Sequence, residues 1–149
     1  MRVHVKIGEH NLIALLDSGS TSNFINQAVA DDIGLHFHNS AGASVIVANG
    51  DRVQCQGLAR DVATRIGVDF FALEWYAIPL DCFDMVLGIA FLKTLGPILW
   101  DFDELCMSFW HRGHRVLWRH RFPTARIVSC RPRVPTQNTQ TVHLIASVL

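Results

Sequence analysis

From Val3 to Trp110 the apolar residues come in short segments divided by turn-forming residues, a spacing that restricts the chain to a β-rich fold. Val3, Val5 and Ile7 alternate with polar residues, Gly8-Glu9-His10-Asn11 turns the chain, and Leu12-Ile13-Ala14-Leu15-Leu16 reads as a buried strand. Residues 44–48 and 52–55 flank Asn49-Gly50-Asp51, where Asn-Gly readily takes the positive φ angles of a tight hairpin turn. Residues 61–68 and 70–78 suggest two more strands with Gly67 in or near their turn. Met85-Val86-Leu87-Gly88 is a further buried strand, and residues 98–102 and 106–110 look like closing strands. Two short helices fit between them. One runs from Asn26, its cap, to Ile33 before Gly34; the other covers about residues 89–95 and breaks at Gly96-Pro97. The expectation is an all-β domain, barrel or sandwich, with two short helices.

The length of 149 residues suits one domain, and half of the residues are hydrophobic, enough to support a core. No apolar run approaches the roughly 18–20 residues of a membrane-spanning helix. The N-terminal alternation is unlike a signal peptide, so an intracellular, cytoplasmic protein that is not secreted is expected. Cys55, Cys82, Cys106 and Cys130 form no Cys-x-x-Cys pair and read as free thiols in a reducing compartment. The zero net charge conceals an asymmetry. Residues 1–110 carry thirteen acids and six bases, whereas residues 111–149 carry seven arginines and no acid. A boundary is expected near residues 110–119, followed by a basic tail or linker over 119–149.

Asp17-Ser18-Gly19 follows the apolar strand directly. Glycine permits a tight turn and lets backbone amides approach the carboxylate, while the hydroxyl can brace a partner. Peptide hydrolysis by carboxylates needs two of them close together. Like charges at that distance cannot both ionise, so the pair shares one proton, one member activating water and the other protonating the carbonyl or leaving group. The chain has one Asp-Ser/Thr-Gly; Asp51, Asp81, Asp84 and Asp101 lack the small-residue-glycine turn. The second carboxylate must then come from a second copy, with two Asp17 side chains meeting at a two-fold axis.

Residues 15–25, Leu-Leu-Asp-Ser-Gly-Ser-Thr-Ser-Asn-Phe-Ile, resemble the active-site segment of retropepsin-like aspartic proteases, especially the protease segment of gypsy-type LTR retrotransposon polyproteins. Val47-Ala48-Asn49-Gly50-Asp51 is similar to the flap hairpin of that family. Ala77-Ile78-Pro79-Leu80 leading to Asp84-Met85-Val86-Leu87-Gly88-Ile89 resembles its second apolar loop, and Leu95-Gly96-Pro97-Ile98 with Trp100-Asp101 also fits. The resemblance spans about residues 1–118 and implies a closed, retropepsin-like (acid protease) β-barrel with one or two short helices. It implies a homodimeric aspartic endopeptidase without a cofactor or metal, acting on a peptide or polyprotein. Asp17 would be catalytic acid or base, Ser18 the cross-dimer brace and Gly19 the substrate-facing turn. Ser20, Thr21, Ala48, Asn49, Gly50, Leu87 and Gly88 would form the substrate site, with residues 48–50 closing over the peptide and Leu87 and Gly88 packing under the loop. Two departures stand out. Ala90 and Phe91 replace the acid and tryptophan common in the family, and Cys82 stands where glycine is frequent.

Other signals compete less well. A serine nucleophile at Ser18 would want glycine where Leu16 and Ser20 stand. His36-x-His38 and Cys106-x₄-His111-x₂-His114 match no closed zinc site. Arg112, Arg115, Arg119, Arg121, Arg126, Arg131 and Arg133, with Trp110, Trp118 and Phe122 among them, could meet nucleic-acid phosphates, but a solvated basic linker is the simpler reading. A catalytically silent retropepsin-like module that binds protein is the alternative to the protease.

Overall fold

The computed structural model describes residues 1–38, 43–47 and 49–120, together with a short strand at residues 147–148. In chain order the elements are β1 (Arg2–Ile7), β2 (His10–Leu16), β3 (Phe24–Asn26), α1 (Gln27–Asp32), β4 (Ser44–Ile46), β5 (Arg52–Gln54), β6 (Gly57–Ile66) and β7 (Asp69–Ile78). Then follow β8 (Met85–Leu87), α2 (Ile89–Leu92) running into a 3₁₀ turn at Lys93–Leu95, β9 (Leu99–Asp101), β10 (Cys106–His111), β11 (His114–Arg119) and β12 (Ser147–Val148).

Six strands close a barrel in the order β1-β2-β8-β3-β7-β6, with β6 returning to β1. The alternation seen in β1 has the expected consequence: Val3, Val5 and Ile7 point into the core, opposite Ala14, Leu12 and His10 of β2. The short apolar strand β8 is buried on both faces because it lies between two others. It runs parallel to β2 and antiparallel to β3. The connection from β2 to β3, residues 17–23, must therefore cross the end of β8. That crossing creates the site.

A second sheet, β11-β10-β9, packs one face on the barrel. Met107 and Phe109 of β10, with Val116 and Trp118 of β11, turn inward to join Trp75 and Phe91 in one core. Phe91 stacks on Trp118 with centroids 6.2 Å apart and meets Phe71 edge-on at 5.1 Å. Burying an aromatic ring of this size contributes about 3 kcal/mol or more, and this one joins α2, the barrel and the second sheet. Phe91, which stands where the resemblance would place a tryptophan, is itself fully buried.

The predicted helix at Asn26 is present, and the Asn26 side chain accepts from the Ala28 N–H at 2.9 Å as an N-cap. Two expectations are corrected. No strand was expected beyond Trp110, yet β11 pairs with β10 along its full length, so the change of charge sign begins inside a hairpin. The hairpin at Asn-Gly is present as expected, with Gly50 at positive φ, 86°. The Gly50 N–H donates to the Val47 carbonyl at 2.8 Å and the Val47 N–H to the Asp51 carbonyl at 3.0 Å, which makes a three-residue loop with glycine in the left-handed position. Finally, Cys82 is disulfide-bonded, whereas Cys55 and Cys106 are free. Cys130 and the arginines from Arg121 onward lie outside the described residues. No helix is long and apolar enough to cross a membrane among the described residues.

Candidate active site

The Asp17 N–H donates to the Leu87 carbonyl at 3.0 Å, which continues the β2–β8 pairing one residue past the strand. The Asp17 carbonyl then accepts from the Ser20 N–H at 3.2 Å, and its side-chain Oδ1 accepts from the Gly19 N–H at 2.9 Å. The carboxylate is thus held on a tight turn whose outer residues, Ser18 and Gly19, are exposed, while Asp17 itself is partly exposed. The carboxylate is held by the turn and remains accessible to solvent.

The loop is fastened from below by the end of β8 and the start of α2. The Ile89 N–H donates to the Ser20 carbonyl at 2.7 Å and the Ala90 N–H to the Thr21 carbonyl at 3.0 Å. These are amides of the first turn of α2, which has no intrahelical partners for them. Gly88 lies under the crossing with no space to spare: a Cβ there would sit 2.2 Å from the Ser22 oxygen and 2.5 Å from the Ser20 oxygen.

Asn23 was not singled out from the sequence, yet it braces the whole arrangement. It is buried; its Oδ1 accepts from the Gly88 N–H at 3.1 Å and its Nδ2 donates to the Glu74 carbonyl at 3.2 Å. Its carbonyl accepts from the Tyr76 N–H at 3.0 Å. One signal was available, a lone amide immediately before the apolar pair Phe24-Ile25, since a polar side chain that close to a core must find partners.

The structure separates the sequence-derived site residues into two groups. Asp17, Ser18, Gly19 and Thr21 lie on the accessible loop, and Asn49 and Gly50 are exposed at the hairpin tip; Ala48 lies outside the described residues. Ser20, Leu87 and Gly88 are buried, so they support the loop and do not present a side chain to a peptide. The β4–β5 hairpin is seated by Val45 and Val53, which pack with Phe24, Ile78, Leu80 and Val86. Phe24 and Val86 belong to β3 and β8, so the base of the hairpin and the crossing beneath Asp17 rest on one apolar cluster. Asn49 stiffens the tip: its Oδ1 accepts from the Asp51 N–H at 2.9 Å and its Nδ2 donates to Asp51 Oδ2 at 2.6 Å.

Other aspartates have structural duties. Asp84 Oδ2 accepts from the Ile13 N–H at 3.0 Å, and Asp101 Oδ1 accepts from the N–H groups of Asp103 and Glu104. His111 and His114 flank the β10–β11 turn, and His114 Nε2 lies 3.9 Å from Asp69 Oδ1. Among the described residues no group of three His, Cys, Asp or Glu side chains is placed to hold a metal ion.

Residues 3–94 match the model of the family described as "gag-polyprotein putative aspartyl protease". The chain belongs to that family. The match takes in Asp17, the hairpin, Gly88 and α2, and stops short of the β9–β11 sheet. Among solved structures, the retroviral protease-like domain of Ddi1 from Leishmania major is similar with a TM-score of 0.58 and 17% identity. The alignment covers 73% of this chain and 82% of that one, and it shows that the aspartyl-protease-family chain has the retroviral-protease-like fold. No curated protein matches the sequence.

Proposed function

We propose that the chain is one protomer of a homodimeric aspartic endopeptidase, with Asp17 of each copy forming the catalytic pair. The observation that carries this reading is the clamped, partly exposed Asp17 turn on a crossing that shares its apolar support with a hairpin. In the dimer the two Asp17 carboxylates share one proton, as aspartic proteases do. The ionised member takes a proton from a water molecule, which attacks the peptide carbonyl while the protonated member donates to the carbonyl oxygen. The C–N bond then breaks as the first carboxyl passes its proton to the amine and the second takes one back from the gem-diol, which restores the singly protonated pair. Ser18 braces the partner loop. Asn49 and Gly50, with Ala48, close over the peptide and exclude water.

A second copy also has a surface to cover. Leu99, Trp110 and Leu117 are 67%, 69% and 47% exposed on β9, β10 and β11, whose other face is already buried on the barrel. Exposed apolar side chains grouped in this way mark an association surface. The substrate class that best fits the family is a polyprotein, in the manner of a gypsy-type LTR retrotransposon.

The deciding experiment compares wild type with Asp17→Asn in a peptide-cleavage assay alongside a measurement of oligomeric state. The reading requires cleavage favoured by acid, lost in Asp17→Asn and blocked by a pepstatin-like inhibitor. Asn keeps the Oδ1 acceptor for the Gly19 N–H, so the variant should melt with the wild type while its rate falls by about 10³-fold or more. A monomeric wild type that cleaves nothing between about pH 4 and 7 would leave a silent binding module as the better description.

A further inference from the structure

The outer edge of the hairpin is itself occupied. The Val47 N–H donates to the Asp51 carbonyl, and the Cys55 N–H to the Ala43 carbonyl, each at 3.0 Å. Backbone polar groups alternate sides along a strand, so residues 43, 45 and 47 direct theirs at β5. Ser44 and Ile46 consequently present their N–H and C=O groups to the opposite edge. On that edge lies β12, antiparallel to β4, with Ser147 opposite Ile46 and Val148 opposite Val45. The sheet order is β12-β4-β5.

We propose that the edge of β4 away from β5 is a strand-addition site and that its occupant is the chain's own segment at Ser147–Val148, which acts as a strap on the hairpin. The proposal rests on reading that hairpin as the flap over Asp17. Strand addition draws affinity from main-chain hydrogen bonds, and it suits an extended segment rich in β-branched and apolar residues. Residues 141–149, Thr-Val-His-Leu-Ile-Ala-Ser-Val-Leu, have that composition and contain no proline and no Asp, Glu, Lys or Arg. Two paired residues alone would bind weakly, but tethering to the same chain raises the effective concentration to about the millimolar range. A contact this small opens locally without unfolding the barrel. It therefore holds the hairpin in place while leaving it free to be released, and release makes the flap easier to lift for an incoming peptide.

The test follows amide hydrogen exchange at Ile46 in the full chain. Proline at position 147 removes the N–H facing Ile46, whereas threonine keeps it. In Ser147→Pro the Ile46 amide should exchange about tenfold faster or more, and in Ser147→Thr it should match wild type. The Val47 amide, which is bonded to Asp51, reports on the hairpin itself and should keep its rate in both variants. A synthetic peptide of residues 141–149 added to the proline variant should restore protection at Ile46. Equal Ile46 exchange in wild type and Ser147→Pro overturns the proposal, as does a saturating peptide that restores nothing. Where the protein cleaves peptide, Ser147→Pro should raise kcat/KM severalfold. Absence of cleavage in every variant would reject the protease reading, and the exchange rates would still decide the strap.

Discussion

At Gly88 a methyl group would approach two backbone oxygens, those of Ser22 and Ser20, at 2.2 and 2.5 Å. Neither oxygen can rotate away like a side chain, because the Ser20 carbonyl also accepts the Ile89 N–H. An alanine must therefore push the Asp17 loop off β8 and break the bond between the Gly88 N–H and Asn23 Oδ1. Overpacking of this kind costs about 3 kcal/mol. Gly88→Ala is expected to lower Tm by several degrees and to abolish cleavage, in contrast to Asp17→Asn, which should remove activity at unchanged Tm. Calorimetry of both variants beside the cleavage assay makes the distinction; a Gly88→Ala protein as stable as wild type would show that the crossing is looser than these distances require. The clash itself could not have been read from the sequence. Gly88 was expected to pack under the loop, but only the parallel pairing of β8 with β2 shows which atoms a side chain would strike.

Among the elements, legibility depended on whether local chemistry or long-range pairing decided the outcome. The Asn26 cap and the Gly34 stop are local, and α1 formed between them. Alternation placed β1 correctly, because a strand with one buried face needs that pattern. Strand β11 was not assigned because His111-Arg112-Gly113-His114 lies where the arginines begin, and residues 111–118, although counted within the domain, were read by their charge and not by their alternation. Yet Arg112 and Gly113 have φ of 48° and 81°, the two positive angles of a two-residue hairpin turn, and Val116 and Trp118 alternate inward after them. What ties that hairpin back to β1 is His120, whose Nδ1 accepts from the Arg2 N–H at 3.3 Å and whose N–H donates to the Leu105 carbonyl at 2.9 Å. Burial lowers the pKa of His120, and the positive charges of the N-terminal amine and Arg2 lower it further. The folded state then disfavours the proton relative to the unfolded chain, so this contribution to stability is complete above the ordinary histidine pKa. It is lost as pH falls through the lowered value, where a protonated Nδ1 can no longer accept. Urea denaturation of wild type between pH 7.5 and 5 should show this loss, and His120→Phe should flatten the slope. An unchanged slope in the variant would assign the pH dependence to other groups.

At the level of the whole molecule, the barrel was legible from ordered motifs, whereas the exposed apolar face of the second sheet was not. It consists of alternate residues on three strands, one of which, β11, had not been expected. Met107, Phe109, Val116 and Trp118 fill one face of the sheet, and the side chains between them, Trp110 and Leu117 with Leu99 of β9, are left to solvent in a single chain. If a second copy covers them, a charge placed there should oppose dimerisation without disturbing the barrel, because Leu117 is already 47% exposed. Leu117→Glu is therefore expected to keep the wild-type Tm under conditions where both proteins are monomeric. Its dimer dissociation constant should rise by about tenfold or more, since a buried unpaired carboxylate costs upwards of 1.4 kcal/mol. Sedimentation at several protein concentrations reads the constant directly. Cleavage supplies an independent check. If two chains each contribute one Asp17, the specific activity of Leu117→Glu should be low when dilute and recover as concentration rises, whereas Asp17→Asn should stay inactive at every concentration. A Leu117→Glu protein with full specific activity when dilute would place the association surface elsewhere on the barrel.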